Sequence, residues 1–178
     1  GHGQGAVRRV LAPATFVWKN DSGARALEGL PSAFEVAWGH APDELEVVES
    51  LADGRALHFG AALAAGQKTG WFYDQAANRA ALPRFVPPGA RVLDVCSYAG
   101  AWAVTAMAAG AAEAACVDAS QPALERCVAN ARANGFEVGV RRGDAFDVLA
   151  ALAAEGARYD VVVVDPPAFI KRRKEFPQ

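Results

Sequence analysis

Cysteine is scarce. The 178 residues hold three, Cys96, Cys116 and Cys127, an odd number with no metal-ligand spacing. Each lies in an apolar stretch, which reads as reduced, mostly buried thiols rather than a disulfide framework, and no metal is expected. Long apolar runs are missing too. No segment reaches the roughly 18 uninterrupted apolar residues that a membrane-spanning helix requires. The first residues, Gly1-His2-Gly3, lack the charged start and apolar run of a signal peptide, so a cytoplasmic location without membrane association is the expectation. Net charge is small, formally −2, and by itself argues neither for nor against nucleic acid as a partner. The one basic run, Lys171-Arg172-Arg173-Lys174, reads either as a solvated face or as a patch for phosphates. The dinucleotide fingerprint G-x-G-x-x-G is absent, because Tyr98 stands where a glycine is expected.

What remains is a chain of which 52% is hydrophobic, with Ala very common, long enough for one ordinary domain and an appendage. Two regions are expected, 1–65 and 66–178. In the first, Ala14 to Lys19 reads as a strand and Asn20-Asp21-Ser22-Gly23 as a turn. Leu45 to Leu51 and Ala56 to Phe59 flank Asp53-Gly54, a hairpin signal. The region is therefore expected to be small and β-rich, with Trp18, Phe34 and Trp38 as its core.

In the second region strands and helices alternate. Asp74 to Phe85 reads as a helix ended by Pro87-Pro88-Gly89. Arg91 to Cys96 is a strand, Ala101 to Ala109 a helix, and Ala114 to Asp118 a second strand. Ser120 is placed to cap the next helix, Pro122 suits its first turn, and Leu124, Cys127, Val128 and Ala131 give it one apolar face. Val138 to Arg142 is a third strand. Phe146, Leu149, Ala150 and Ala153 form another helical stripe. Tyr159 to Asp165 is a fourth strand, whose four consecutive valines suit a central strand buried on both faces. This alternation means a parallel α/β sheet, and in such sheets ligands bind beyond the carboxyl ends of the strands.

Each strand end carries something. Asp94-Val95-Cys96-Ser97-Tyr98-Ala99-Gly100 is a small-residue turn ahead of a helix, either an ordinary tight turn or one that brings backbone N–H groups to an anionic ligand. Asp118 lies 18 residues past Gly100, the position of an acid that binds ribose hydroxyls, although a helix N-terminal acid also sits there. Asp144 either accepts from an adenine amino group, caps the next helix, or does both. Asp165-Pro166-Pro167-Ala168-Phe169 ends the fourth strand in a rigid loop, since two prolines forbid further ladder bonding, and holds the Asp165 carboxylate at the cleft.

Taken together, residues 66–178 resemble, motif for motif, the Rossmann-like core of class I S-adenosylmethionine-dependent methyltransferases, preceded by a small β-rich region. Gly66 to Gln75 with Asn78-Arg79, Ser97 to Gly100, Val117 to Gln121 and Asp165 to Phe169 are similar to segments of the bacterial 23S rRNA cytosine-C5 methyltransferases. Asp21 to Leu30 resembles the β-rich domain ahead of their core. The related guanine-N7 enzymes share the pre-core segment and the Asp-Pro-Pro. The resemblance implies S-adenosylmethionine as cofactor and RNA, 23S rRNA, as partner. It implies that Gln75, Arg79, Ser97, Tyr98 and Gly100 surround the methionine end of the cofactor. Asp118, beside Ser120, would bind the ribose and Asp144 the adenine, and Asp165 would be the catalytic residue facing the target base. The cytosine-C5 nucleophile of that family, a Cys, has no counterpart here, and only four of seven strands are visible, so an incomplete sheet in an inactive fragment is expected. Two readings of other classes stand beside it: a nucleotide-dependent oxidoreductase, and a non-catalytic RNA-binding protein using Lys171 to Lys174.

Overall fold

The computed structural model describes residues 2–21, 25, 28–63 and 70–166. The Ser22-Gly23 part of the expected turn, the Gly66 to Thr69 motif, Pro167 to Phe169 and the Lys171 to Lys174 run lie outside them. The chain forms two compact units, residues 1–45 with 61–72, and 46–60 with 73–178.

The first unit contains helix α1 (His2–Val10) and strands β1 (Phe16–Asn20) and β2 (Ala33–Trp38), which pair antiparallel with Phe16 opposite Trp38 and Lys19 opposite Phe34. Phe16 stacks on Trp38 at 4.7 Å and meets Trp18 edge-on at 4.8 Å. The Trp38 indole donates to the Pro13 carbonyl at 3.0 Å, which satisfies its polar edge. Phe34 is exposed and not part of this cluster, contrary to expectation. It shares a face with Lys19, away from the stacked rings.

Strands β3 (Glu44–Ser50) and β4 (Ala56–Ala62) pair across the expected Asp53-Gly54 turn. Asp53 closes that turn by accepting from the Arg55 N–H at 3.0 Å. Most of this hairpin, residues 46–60, groups with the second unit.

The expected helix over Asp74 to Phe85 is broken into a 3₁₀ turn (Tyr73–Gln75), helix α2 (Ala76–Ala81) and a second 3₁₀ turn (Leu82–Phe85). Pro83 is the physical reason: it lacks an N–H and its ring crowds the carbonyl one turn back, so the helix cannot run through it.

The core is a four-stranded parallel sheet in the order β7-β6-β5-β8, formed by β5 (Arg91–Val95), β6 (Glu113–Asp118), β7 (Gly139–Arg142) and β8 (Val161–Val164). Helices α3 (Ala101–Ala108) and α4 (Gln121–Ala133) cover one face, where Val92, Ala103, Ala106, Cys116, Leu124 and Cys127 pack together. Helix α5 (Ala145–Ala154) contributes Leu152 to the other, against Leu93, Val95 and Val117. Successive side chains of β5 and β6 thus enter opposite cores, which is why these strands read as apolar without alternation. Each valine buried this way contributes about 1.5–3 kcal/mol.

Two expectations are corrected here. Among the described strands β8 is an edge, not a centre: Val161 and Val163 face the core while Val162 and Val164 are 51% and 58% exposed. In α5 the buried stripe is Ala145, Val148, Leu149 and Leu152, one residue out of phase with the expected one, and Phe146 is 71% exposed. Both stripes have helical spacing, and the sheet below selects between them.

Helix α4 starts as expected. Ser120 accepts from the Ala123 N–H at 3.3 Å, with Pro122 in the first turn. It ends in a left-handed Gly135, with the Phe136 N–H on the Ala131 carbonyl at 2.9 Å.

Candidate functional site

The chain runs outward through β5, β6 and β7 on one side and returns to place β8 on the other side of β5. The switch in strand order therefore lies between β5 and β8, and the carboxyl ends there open the crevice where α/β sheets bind ligands.

β5 delivers Asp94, which is fully buried. One carboxyl oxygen, Oδ2, accepts from the Ala103 N–H of α3 at 3.1 Å, and the other has no partner among the described residues. Burial pushes its pKa up to about 7; the Ala103 bond works against this, and the charges of Asp165 and Asp118 add to it.

The strand stops at Val95 rather than Cys96 because the backbone turns left-handed there. Cys96 has φ 62°, Tyr98 φ 47° and Gly100 φ 77°. The turn is pinned by the Ser97 N–H on the Val117 carbonyl at 3.0 Å and the Gly100 N–H on the Ser97 carbonyl at 2.8 Å. Ser97 is buried, with its hydroxyl beside the Cys116 thiol, so its side chain faces inward and only its backbone lines the crevice.

Asp118, half-buried at the end of β6, is held by two backbone N–H groups, Tyr98 on Oδ2 and Ser120 on Oδ1, both at 2.9 Å. Each oxygen keeps further lone-pair capacity for a pair of hydroxyls. Asp144 caps α5 by accepting from the Phe146 N–H at 2.9 Å and stays exposed. Asp165, exposed after β8, accepts from the Trp102 indole N–H at 3.3 Å, and its own N–H donates to the Val95 carbonyl at 3.3 Å.

The four acids lie along one edge of the sheet. The Cys96 thiol is raised first by partial burial and then by the charges of Asp118, Asp94, Asp165 and Asp144. The parallel sheet brings the carboxyl ends of its four strands to one edge, each carrying an acid, and Asp94 among them is held towards its protonated form. Sequence reasoning brought three of these acids forward and gave no role to Asp94, whose signal is an acid inside an apolar strand.

The two remaining candidates sit differently. Gln75 accepts from the Asn78 amide at 2.9 Å. Arg79, only 3% exposed, forms a two-pronged ion pair with Glu49, one prong at 2.8 Å. Its guanidinium also lies 6.0 Å from the centre of the Trp102 ring. Arg79 therefore reaches the strand ends through Trp102 and Asp165. Neither Glu49 nor Trp102 was singled out from the sequence. A shallow recess flanked by Glu49, Leu51, Leu57, Arg79 and Thr105 lies on the hairpin side and contains none of the strand-end acids.

Comparison with known proteins gives the family. A family model described as S-adenosylmethionine-dependent methyltransferase matches residues 29–176. The chain belongs to that family. The ribosomal RNA large subunit methyltransferase I of Aeromonas hydrophila is 32% identical over 173 residues, which is 96% of this chain and 43% of that protein. The chain thus spans less than half the length of this methyltransferase relative. A solved structure of a candidate methyltransferase in complex with S-adenosylhomocysteine is 28% identical with a TM-score of 0.67, over 80% of this chain and 37% of that one. The methyltransferase of Agrobacterium tumefaciens shares the fold, with a TM-score of 0.70 at 23% identity, over 90% of this chain and 49% of that one.

Within the methyltransferase family a sulfonium cofactor is the ligand to test against these residues. Its charge is positive, and the strand ends of the crevice carry the carboxylates of Asp118, Asp144 and Asp165. Its ribose offers a pair of hydroxyls, and Asp118 is fixed with lone pairs to spare. The donor set fits the group on both counts.

Proposed function

We propose that the strand-end crevice holds S-adenosylmethionine and that the protein transfers its methyl group to a base of large-subunit ribosomal RNA, with C5 of a 23S cytosine as the acceptor. The observation that carries this reading is Asp118 at the end of β6, fixed by the Tyr98 and Ser120 N–H groups, with Asp144 and Asp165 at other strand ends of the same parallel sheet. When bound, the cofactor supplies an electrophilic methyl group on a positively charged sulfur.

The chain's own residues bind and orient. Asp118 accepts from the ribose hydroxyls, and its rigidity, imposed by the Tyr98 and Ser120 N–H groups, fixes where they lie. Ser120 serves the site through its backbone N–H, while its hydroxyl is taken up in capping α4. The free capacity of the Asp144 carboxylate is directed to the adenine. The first turn of α3, whose leading N–H groups have no intrahelical acceptors, suits the carboxylate of the methionine end. Tyr98 and Gly100 shape the wall there, with Gln75 and Arg79 behind it. Asp165, oriented by the Trp102 indole, accepts from an amino group on the target base.

A second reading is guanine N7 as acceptor, and one observation favours it. Cytosine C5 needs a thiolate to activate the ring. Cys116 and Cys127 are buried with their thiols 3.3 Å apart, and both Cys96 and Cys116 are pushed towards the protonated form, so this chain's described thiols are poor nucleophiles. Nucleoside analysis of ribosomal RNA after incubation with labelled cofactor separates 5-methylcytidine from 7-methylguanosine.

The cofactor half is tested by calorimetric titration of the chain with S-adenosylhomocysteine. Binding that falls at least tenfold in Asp118→Ala supports the reading. Equal affinity in wild type and Asp118→Ala, or stabilisation by NAD instead, overturns it.

A further inference from the structure

Helix α4 and its C-cap carry two asparagines one turn apart, Asn130 and Asn134, and both turn towards backbone. Asn134 Oδ1 accepts from the His58 N–H at 2.9 Å, and its Nδ2 donates to the His58 carbonyl at 2.7 Å. Asn130 Oδ1 accepts from the Gly60 N–H at 2.7 Å, and its Nδ2 donates to the Gly60 carbonyl at 3.3 Å. Four residues of helix rise about 6 Å, and two residues of strand span about 6.6 Å. The spacings match, so the two amides act as a surrogate neighbouring strand along the edge of β4. Each amide makes a third bond, and that of Asn134 stays within the helix, from Nδ2 to the Asn130 carbonyl at 2.8 Å, whereas that of Asn130 leaves it. Its Nδ2 donates to the carbonyl of Ala99, inside the turn between Cys96 and Gly100, at 3.0 Å. The side chain is 2% exposed, and its orientation is unambiguous, because a flipped amide would set NH2 against the Gly60 N–H.

We propose that Asn130 is a positioning residue for cofactor binding. Through one side-chain amide it ties the Ala99 peptide of the turn to the β4 edge of the hairpin, so the turn keeps its left-handed form before any ligand arrives. This rests on the reading that the turn binds S-adenosylmethionine. Two facts distinguish Asn130 from a purely structural asparagine. Its bond to the turn is not shared by Asn134, which makes the same pair of bonds to the same strand. The peptide it holds lies between Tyr98 and Gly100, both left-handed, where a loose carbonyl would let the turn relax.

Asn134 is the internal control. In the full chain, Asn130→Ala and Asn134→Ala each remove two bonds to β4 and are expected to lower the melting temperature by similar amounts. Only Asn130→Ala is expected to speed amide exchange at Tyr98 and Gly100 at least tenfold and to weaken S-adenosylhomocysteine at least tenfold. Asn130→Asp keeps the shape and the acceptor for Gly60 but loses the donor to Ala99, and is expected to behave as Asn130→Ala at the turn. It replaces the alanine variant if that one does not fold. Turn exchange and affinity within twofold of Asn134→Ala for the folded Asn130 variants overturn the proposal. If the wild type binds no S-adenosylhomocysteine, the cofactor reading fails, while exchange at Tyr98 and Gly100 still decides whether Asn130 sets the turn.

Discussion

Gly100 is where the turn is least able to accept a side chain. It begins α3 with φ 77°, and a Cβ built on it would lie 2.4 Å from Cys127 Sγ, 3.0 Å from Cys127 Cβ and 3.2 Å from Cys127 Cα. The first contact can be relieved only by moving a thiol that is itself fully buried against Cys116. The last two involve atoms fixed by α4. Gly100→Ala therefore carries two costs, roughly 1–2 kcal/mol for a non-glycine in the left-handed region and about 1–3 kcal/mol for overpacking. For a chain of this size each kcal/mol moves the midpoint by about 2–4 °C, so a fall of roughly 4–20 °C is expected by circular dichroism melting. Cys127→Ala removes the nearest atom and leaves the strained φ and the α4 backbone contacts. The double variant is therefore expected to recover about 1 kcal/mol or more relative to the sum of the single effects, a coupling readable from urea denaturation. A neutral Gly100→Ala, or strictly additive single and double variants, would refute the argument that α4 closes the space behind the turn.

Other perturbations follow from the same geometry. Asp94 has its pKa raised to about 7 from an ordinary carboxylate value, so the folded state holds a proton there that the unfolded chain has lost. The stability this contributes is fully present below about pH 4 and is lost as pH rises towards 7, on the order of 4 kcal/mol in all. Asp94→Asn keeps the acceptor for Ala103 and does not titrate, so its denaturation midpoint is expected to vary less between pH 4 and 7 than that of the wild type; an unchanged slope would remove Asp94 as the cause. Glu49→Gln removes the carboxylate charge that the buried Arg79 guanidinium pairs with, and is expected to cost about 3 kcal/mol in urea denaturation; a loss under 1 kcal/mol would mean that the pair adds little to stability. Asp118→Ala is expected to weaken S-adenosylhomocysteine at least tenfold by calorimetry.

The strand ends were legible because their signals are local. Asp118 and Asp144 each follow a short strand and precede a helix, and their caps and loop bonds are made to residues two positions away or to the facing turn. What escaped reading depends on partners far off in sequence. Arg79 finds Glu49 across 30 residues, Asn130 finds Gly60 across 70, and no local pattern announces either. An asparagine in a helix ordinarily reads as surface. The available clue was its place beside Cys127 and Ala131 on the apolar face, with a second asparagine one turn on. The valines of β8 and the stripe of α5 were misplaced for a related reason. Periodicity states that a face is buried, while the neighbouring strand or sheet decides which residue of the period faces it.

The left-handed Cys96 and Tyr98 bring these long-range partners to one place. Neither residue has a side chain suited to that conformation, and each costs of order 1 kcal/mol or more there. Such a turn persists only where its surroundings over-determine it. Here they do so from four directions: Val117 holds the Ser97 N–H, Asp118 holds the Tyr98 N–H, Asn130 holds the Ala99 carbonyl, and Cys127 fills the space that a Cβ on Gly100 would need. All four of these residues belong to β6 or α4, and none belongs to the turn. The consequence is a crevice whose shape is set by packing that a ligand does not touch. Asp118 then serves twice, fixing the turn with one bond and presenting its remaining lone pairs to the crevice. Loss of its carboxylate should accordingly free the Tyr98 amide as well as remove a ligand contact, so in Asp118→Ala weakened cofactor binding and faster exchange at Tyr98 should appear together, whereas a variant of Asp144, which bonds no turn residue, should show at most the first.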